Sequence, residues 1–351
     1  MDPTDRLHRP VLLPGLRRLW RDRETLQLGR VPGPAYVLAG IDEPVRHALA
    51  LLDGTRDVER LADDAERAGC PPERTDQLLG LLGGAGLLED AARGAPSLLA
   101  LSQQERDRRT ADVRSLSILT RGRPHGALAR RAAARLQVRG AGRVGALVAI
   151  TLASEGIGCV DVVDEATTRP SDVGAGGLLP DDVGRTRGEA ARARVRASAP
   201  SVACAPLTSP DLVVLAPVGA LPDDAGPELV RRRAPHLLAE VRGTVGVVGP
   251  LVLPGRTSCL HCHDLTRTDH DPGWPWLAAQ LAGAPRGTAP CDGALAMAVA
   301  SQAVMQVLAL LDEVVRPVAV DGTLELALPD HRWRRRSWTR HPACTCAEEA
   351  G

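Results

Sequence analysis

Residues 135–165 read RLQVRGAGRVGALVAITLASEGIGCVDVVDE and contain the pattern that decides the fold. A short apolar strand leads into a glycine turn and a helix with an apolar face, and a second apolar strand then ends in Asp164. The turn contains Gly140, Gly142 and Gly145. This spacing permits a tight turn in which backbone N–H groups at a helix N-terminus approach a phosphate, while the acid accepts from a ribose hydroxyl. The stretch predicts a Rossmann-like unit.

The three glycines also have a second explanation. Glycine at these positions permits close packing of a helix on a strand with no nucleotide bound. The glycine spacing alone is weak evidence, and the succession of strand, turn, helix, strand and terminal acid makes it stronger. The pattern therefore predicts the fold and leaves the presence of a nucleotide open.

Two close cysteine pairs stand far apart in the chain. Residues 259–262 read CLHC, and residues 344–346 read CTC. Four thiolates suit the closed tetrahedral shell of a structural zinc ion, which leaves no open position for catalysis. The sequence therefore predicts a zinc site on Cys259, Cys262, Cys344 and Cys346. The alternatives are unligated thiols, a redox pair, or an imidazole in place of one thiolate, from His261, His263 or His341.

The composition argues against two classes of partner. The 351 residues contain 43 basic and 43 acidic side chains, so the formal net charge is zero. A neutral chain lacks the long-range attraction that nucleic acid or an anionic membrane surface requires. Lysine is absent, so no lysine can act as a nucleophile or bind a phosphate. We expect neither nucleic acid nor a membrane as a main partner.

We expect the protein in the cytoplasm. Its first residues, MDPTDRLHRP, contain no apolar core of the kind found in a secretory signal. Eight cysteines in a chain of this length fit a reducing compartment better than a disulfide framework. The longest apolar stretch, residues 294–311, contains Ser301, Gln302 and Gln306, so it predicts a buried helix in preference to a membrane span.

Residues 15–92 form a separate pattern. Two extended segments, 25–29 and 35–39, are separated by turn residues. Three helical segments follow, at 43–52, 58–68 and 72–82. With the short wing that the next glycines predict, the pattern indicates a small winged-helix domain. We place this domain at 1–95, a polar, arginine-rich linker at 96–120, and the Rossmann-like domain at 121–351.

A winged helix often binds DNA, but the charges here do not suit that function. The third predicted helix, in PPERTDQLLGLLGG, offers one Arg and two acids, whereas a recognition helix brings several basic or amide side chains to base edges. Peptide binding by strand addition needs only an exposed strand edge and an apolar groove. We expect the edge at Tyr36, Val37 and Leu38. The groove wall is predicted at Leu78, Leu79 and Leu82, unless these leucines are ordinary core residues.

Four motifs together resemble the E1-like superfamily of ThiF and related adenylating proteins, over residues from about 108 to 351. They are the glycine-turn segment, LLPDDVGRTRGEAARARV at 178–195, GPLVLPGRTSCLHC at 249–262 and HPACTC at 341–346. The resemblance implies a Rossmann-like sheet, a homodimer, transfer of AMP to a carboxylate, and structural zinc on paired cysteines. The first 95 or so residues resemble the PqqD-like element that binds leader peptides of ribosomally made natural products. The pairing of the two modules resembles the leader-binding partner of YcaO-type azoline-forming cyclodehydratases.

The sequence departs from active adenylating relatives in three places. After Asp164 it lacks the family's second Asp and N-x-x-R-Q stretch, and Arg187 stands near the family's triphosphate-binding Lys. Residues 216–219, APVG, stand where the family's magnesium-binding Asp follows a strand. Adenylyl transfer depends on such contacts, and one of them can be worth about 10²-fold in rate. Their loss implies a degenerate site.

The sequence therefore predicts an α/β protein, with a Rossmann-like E1/ThiF domain and a small N-terminal winged-helix (α+β) domain. The expected function is that of a non-catalytic scaffold. It binds a leader peptide and presents the precursor to a YcaO-type enzyme in bacteriocin-like natural-product biosynthesis. A DNA-binding regulator is a weaker alternative. The main alternative is an active adenylyltransferase that binds magnesium–ATP through Gly140, Gly142, Gly145, Asp164 and Arg187.

Two further features have competing explanations. Cys291 precedes the long apolar helix, where a thiol can become a nucleophile, but no base is identifiable and a buried structural thiol is the commoner case. An arginine-rich run near the end of the chain could receive an acidic peptide or an anion, and we favour a solvent-exposed strand edge instead. That run consists of Arg332, Trp333, Arg334, Arg335 and Arg336.

Overall fold

The computed structural model describes residues 7–282 and 290–347. The chain divides into two units, Met1–Ala129 and Arg130–Gly351. Residues 1–6, which form most of the segment used for the secretory-signal expectation, lie outside the described residues.

The first unit contains two small antiparallel sheets and a group of helices. The strands are β1 (Pro10–Leu12), β2 (Arg18–Trp20), β3 (Leu26–Gly29), β4 (Ala35–Leu38) and β5 (Leu88–Asp90). The helices are α1 (Glu43–Ala50), α2 (Val58–Arg67), α3 (Pro72–Gly84), α4 (Pro96–Leu99), α5 (Gln103–Leu119) and α6 (Pro124–Ala133), which ends in the second unit. One sheet has the order β2-β3-β4, and the other pairs β1 with β5. The predicted strands β3 and β4 and helices α1 to α3 are confirmed, with ends that differ by one or two residues.

Local signals start the three central helices. Asp42 caps α1 by accepting from the Val45 N–H at 3.1 Å, and Asp57 caps α2 by accepting from the Arg60 N–H at 2.8 Å. Pro72 lies in the first turn of α3, where its missing N–H would have no helical partner. The apolar faces of the three helices meet in the core of the first unit.

The segment predicted as a linker, residues 96–120, is mostly helical and lies within the first unit. Ser102 caps α5, because its hydroxyl oxygen accepts from the Glu105 N–H at 3.3 Å and its hydroxyl donates to the Glu105 carboxylate at 3.0 Å. Arginine and glutamine are good helix formers. The polar composition of this segment therefore reflects a helix that is largely exposed, and not an unstructured connection.

The second unit is built on one seven-stranded sheet. The strands are β6 (Arg135–Arg139), β7 (Cys159–Val163), β8 (Leu212–Leu215), β9 (His236–Arg242), β10 (Val245–Val252), β11 (Gly322–Ala327) and β12 (Arg332–Ser337). The helices are α7 (Arg143–Ser154), α8 (Arg187–Ser198), α9 (Ala225–Arg231), α10 (Leu260–His270), α11 (Trp274–Ala282) and α12 (Gly293–Asp312). The order is β12-β11-β10-β9-β8-β6-β7, with parallel pairing from β9 to β7 and antiparallel pairing from β12 to β9. This arrangement confirms the predicted α/β, Rossmann-like fold.

The long apolar helix α12 packs in the core of the second unit. By length and composition it is the one described helix that could cross a membrane, with a mean hydropathy of 1.9. It contacts α7, β9 and β10, and Val299, Ala303 and Val307 are fully buried. At its C-terminal end, Arg131 donates to both carboxylate oxygens of Asp312, at 2.8 and 2.6 Å. These contacts agree with the prediction of a buried helix.

Candidate functional site

The glycine turn joins β6 to α7, as predicted. Gly140 has a φ of +97°, and a Cβ atom there would lie 2.0 Å from the carbonyl oxygen of Ala216. A Cβ atom at Gly145 would lie 1.9 Å from the carbonyl oxygen of Gly140. Both positions require glycine for backbone packing, whether or not a nucleotide binds.

Gly142 differs, because the atom nearest to a Cβ added there belongs to a side chain. It is the N-cap of α7, and its φ of −72° suits any residue. A Cβ atom there would lie 2.3 Å from Cγ2 of Val218, in the loop after β8. This is the loop in which the family resemblance places a magnesium-binding Asp. An apolar methyl group thus lies against the turn where a phosphate would meet the N-terminus of α7.

Asp164 and Arg187, both predicted to contact ATP, contact each other. Nε of Arg187 lies 2.9 Å from Oδ2 of Asp164, and Nη2 donates to Oδ1 at 3.2 Å. The Asp164 carboxylate also accepts from the backbone N–H groups of Ala141, at 2.8 Å, and Ala166, at 3.0 Å. Only 8% of the Asp164 side chain and 12% of the Arg187 side chain are exposed. The two groups form a largely buried ion pair, and its carboxylate already has three hydrogen-bond donors.

A pocket of about 210 Å³ adjoins this ion pair. Three arginines line it: Arg143, Arg169 and Arg187. Arg143 donates to the carbonyl oxygens of Ser171 and Cys291, both at 2.8 Å. Arg169 has no ion-pair partner among the residues that the structure describes. Sequence reasoning missed Arg169, because its loop does not match the family's N-x-x-R-Q spacing.

Cys291 lines the same pocket but is poorly suited to act as a nucleophile. Burial raises the pKa of its thiol, and this effect exceeds the opposing effect of Arg143. A raised pKa lowers the thiolate fraction at neutral pH, and the thiolate is the reactive form. This favours the structural explanation of Cys291.

The four predicted zinc ligands come together in the second unit. Their sulfur atoms all lie within 4.8 Å of one another. The Sγ–Sγ distance is 3.7 Å for Cys259–Cys262, 3.7 Å for Cys259–Cys344 and 3.6 Å for Cys262–Cys346. A tetrahedral shell with metal–sulfur bonds of about 2.3 Å has sulfur–sulfur edges of about 3.8 Å. The cluster therefore has the spacing needed to bind a metal ion such as zinc.

Two short segments position these thiols. Cys259 is the N-cap of α10 and Cys262 lies in its first turn, while Cys346 lies in a 3₁₀ turn at Thr345–Ala347. The Cys259 thiol donates to the Cys262 sulfur, which lowers the pKa of Cys262 and raises the pKa of Cys259. This hydrogen bond favours the thiolate form of Cys262, and thiolates are the form that binds metal.

The nearby imidazoles do not join the cluster. His263 is buried and stacks on Trp338 with ring centroids 4.1 Å apart, and burial lowers its pKa to about 3. Nε2 of His341 lies 2.8 Å from Oδ2 of Asp269, and His261 is exposed. Among the described residues, the group that could hold a metal consists of cysteines alone.

The residues predicted to bind a peptide are only partly at the surface. β4 is an edge strand of the three-stranded sheet, in which Val37 is 51% exposed and Tyr36 and Leu38 are half-buried. Leu78 and Leu82 are 5% and 1% exposed and belong to the core of the first unit. The groove wall predicted at these two leucines is wrong, because they lie on the face of α3 that packs into the core.

The arginine-rich run lies in β12, the edge strand of the large sheet, and all six residues of β12 are exposed. Arg334 pairs with Asp330, and Arg335 donates to the carbonyl oxygen of Val318 at 2.8 Å. These are local contacts of a solvated edge, which is the explanation that we favoured from the sequence.

The glycine-turn region matches a known family. Residues 118–211 match the model of the ThiF family. This segment is similar to the ThiF family. It extends from the end of α5 to the residue before β8, and it includes the glycine turn, Asp164 and Arg187 but not the cysteine cluster. No curated protein matches the sequence.

Solved structures share the fold of this segment and of most of the remaining chain. The crystal structure of E. coli MccB with MccA-N7isoASN has a TM-score of 0.71 and 15% identity, covering 96% of this chain and 99% of that one. For E. coli MccB with ATP the TM-score is 0.70 and the identity 15%, with the same coverage. For PaaA the TM-score is 0.69 and the identity 19%, covering 93% of this chain and 99% of that one. Likeness at these identities establishes the fold, and function has to be argued from the sites.

Proposed function

We propose that this protein is a peptide-binding partner subunit in the biosynthesis of a ribosomally made, bacteriocin-like natural product. The first unit binds the leader of a precursor peptide along β4. The ThiF-like second unit, stabilised by zinc on the four cysteines, presents the precursor to a YcaO-type cyclodehydratase and does not itself adenylate. The protein acts as a homodimer in the cytoplasm.

The ion pair between Asp164 and Arg187 is the main support for this proposal. In an adenylating site the acid binds the ribose and a cation binds the triphosphate, so both groups must face the nucleotide. Here the two charges neutralise each other. Separating a buried pair leaves its charges uncompensated, at a cost of about 3–5 kcal/mol. Binding of ATP through these two groups would have to offset that cost.

The pocket is also poor in groups that bind magnesium. Magnesium in nucleotide sites is held by one or two carboxylates together with the phosphates. Asp172 is the one carboxylate among the residues that line the pocket, and it lies 3.5 Å from Nη1 of Arg187. Val218 occupies the loop where the family places the metal-binding acid. Both observations support a site that no longer activates a carboxylate.

The peptide-binding role rests on the first unit. An edge strand offers unpaired main-chain groups to an extended peptide, and Val37 exposes an apolar side chain on that strand. A protein of the same fold, the microcin C7 biosynthetic enzyme MccB, has been solved in complex with N-formylated MccA. This complex supports a role in natural-product biosynthesis for the present chain.

Binding of the leader peptide tests the proposal directly. The probe is the leader of a candidate precursor, taken from any short Cys-, Ser- or Thr-rich open reading frame found beside this gene, labelled with a fluorophore and titrated with the zinc-loaded protein. We expect Val37→Glu to weaken binding by about tenfold, the equivalent of one good contact. Leu19→Glu is the matched control, because Leu19 is 40% exposed on β2, the opposite edge of the same sheet. A wild-type protein that does not bind the leader would refute the proposed function.

An active adenylyltransferase is the second candidate. Its support is the concentration of three arginines in the pocket beside the N-terminus of α7, because such a pocket attracts phosphates. Calorimetry with magnesium–ATP and pyrophosphate exchange separate the two candidates. We expect no binding heat and no exchange. Micromolar binding with carboxylate-dependent exchange would favour the enzyme.

A further inference from the structure

The long helix α12 is buried on one side only. Residues 293–311, which form nearly all of it, contain no charged side chain, whereas 25% of the whole chain is charged. Met297 is 47% and Met305 is 53% exposed, and Ser301 between them is also exposed. A helix that is apolar all round is normally buried, and a helix face in water normally carries charged or polar side chains. The exposed side of α12 therefore resembles a surface that another molecule covers.

The exposed residues of α12 are arranged symmetrically about Ser301. Met297 and Met305 lie four positions from it on either side, and Ala294 and Leu308 lie seven positions from it. Positions four and seven apart share one side of an α-helix. Ala294 is exposed and Leu308 is half-buried. These five residues form what we call the methionine face, and its two halves match in spacing along the helix.

A face with matched halves suits contact with a second copy of itself. In a dimer with a two-fold axis the same surface of both subunits meets, so that surface must be complementary to itself. When two α12 helices pack antiparallel and cross at Ser301, Met297 of each copy lies against Met305 of the other. Serine is small, so the helix axes can approach closely at the crossing. A different protein as partner would not require the matched spacing.

The composition and extent of the methionine face suit the centre of such an interface. The centres of protein interfaces are depleted of charged residues and enriched in Met. From Ala294 to Leu308 the face is about 21 Å long, at about 1.5 Å per residue. A stable interface buries about 800 Å² on each partner, which is more than one helix face provides. Three exposed valines shortly after the helix, Val314, Val315 and Val318, add apolar surface beyond its C-terminal end.

We propose that the methionine face is the centre of the interface in a homodimer of this chain, with two antiparallel α12 helices crossing at Ser301. The proposal rests on the homodimer in the proposed function, and it names the surfaces that meet. No residue of β4 belongs to the methionine face. The interface and the binding of the leader peptide can therefore be tested separately.

The mass of the zinc-loaded full-length protein in solution tests the proposal, measured by sedimentation equilibrium. We expect the wild type at twice the 37.0 kDa mass of the chain. Ser301→Arg places two guanidinium groups of like charge at the crossing, so it should raise the dissociation constant of the dimer at least about a hundredfold. Ser115→Arg is the matched control, because Ser115 is exposed on α5 in the first unit. Both variants should keep the far-UV circular dichroism of the wild type, since both positions are exposed.

Two charges of opposite sign test the antiparallel pairing. Met297→Glu and Met305→Arg, made singly, should each weaken the dimer at least about tenfold, because each buries a charge against a methionine of the other copy. The double variant places Glu opposite Arg at both contacts and should recover the dimer. A parallel pairing would place like charges together, so a double variant weaker than both single variants would overturn the proposed arrangement.

A monomeric wild type overturns the proposal, as does a dimer that Ser301→Arg leaves intact. Titration of the labelled leader separates this failure from failure of the proposed peptide-binding role. Leader binding by a monomeric wild type would refute the interface and the homodimer alone. A wild-type dimer that Ser301→Arg dissociates, but that does not bind the leader, would support the interface and refute the peptide-binding role.

Discussion

The glycine-turn pocket and the cysteine cluster, both in the second unit, satisfy their polar groups in opposite ways. In the pocket, Asp164 and Arg187 neutralise each other and backbone N–H groups complete the carboxylate's hydrogen bonds. In the cluster, four sulfur atoms of the same kind face one another at the edge length of a tetrahedral metal shell. The first arrangement pairs its two charges within the protein, although Nε of Arg187 has no hydrogen-bond partner among the described residues, whereas the second has the spacing to hold a metal ion. A residue at a position where the family binds a ligand therefore indicates that ligand only when its side chain is not already paired within the chain.

Removing the metal should produce the largest effect. The binding energy of a structural zinc is largely folding energy, so we expect Cys344→Ser or a strong chelator to destabilise the second unit by about 5 kcal/mol or more. Thermal denaturation should show the unfolding transition at least about 10 °C lower, and metal analysis should find one zinc in the wild type. Cys204→Ser is the control, because Cys204 lies outside the cluster. A chain without zinc and with unchanged stability would remove the contrast between the two sites.

Breaking the ion pair should have the next largest effect. Asp164→Ala leaves the guanidinium of Arg187 largely buried without its main partner, so we expect a loss of about 2–4 kcal/mol in unfolding free energy. The second contact of Arg187, to Asp172 at 3.5 Å, limits the loss. Adding Arg187→Leu should recover part of it, as urea denaturation of the single and double variants can show. The opposite outcome is an Asp164→Ala protein as stable as the wild type, together with ATP binding by the wild type that the variant lacks. It would show that Asp164 binds the nucleotide and does not serve mainly to neutralise Arg187.

Protonation of His236 makes the free energy of unfolding depend on pH, in the two preceding experiments as well. His236 is buried at the start of β9, and burial lowers its pKa to about 4. The folded-state pKa lies below the unfolded value of about 6.5, so the unfolded chain binds more protons between these values. Stability should therefore fall as the pH drops from 6.5 to 4, by up to about 1.4 kcal/mol per pH unit. His236→Gln should remove this part of the slope in urea denaturation at a series of pH values. An unchanged slope would assign the acid sensitivity elsewhere.

The smallest effect is expected from restoring one missing acid. Val218→Asp places a carboxylate in the loop where the family binds magnesium, but Asp164 and Arg187 remain paired. We expect no gain in ATP binding by calorimetry and no pyrophosphate exchange. Measurable exchange in this variant would show that the missing acid alone prevents adenylation. The ion pair between Asp164 and Arg187 would then not explain the inactive site.

Local sequence signals predicted much of the fold. The glycine turn, the strands on either side of it and α12 follow from short-range apolar patterns, and helix starts follow from caps such as Asp42 and Asp57. Errors arose where a local pattern has two structural meanings. The sequence predicts a linker at 96–120, but the segment is mostly helical. Charged residues occur both on exposed helix surfaces and in linkers, so composition does not distinguish the two. Leu78 and Leu82 are buried, although the sequence predicts a groove wall there. Apolar residues at helical spacing fit both a groove wall and a core.

The sequence by itself determined which chemical groups this protein has: a glycine turn, four paired cysteines, no lysine and a balanced charge. Only the tertiary structure decided what each group contacts. It joined residues 259–262 to residues 344–346 in one cluster and paired Asp164 with Arg187. The physical reason is that the energies of charges, thiols and imidazoles depend on neighbours within a few ångströms. Those neighbours come from distant parts of the chain.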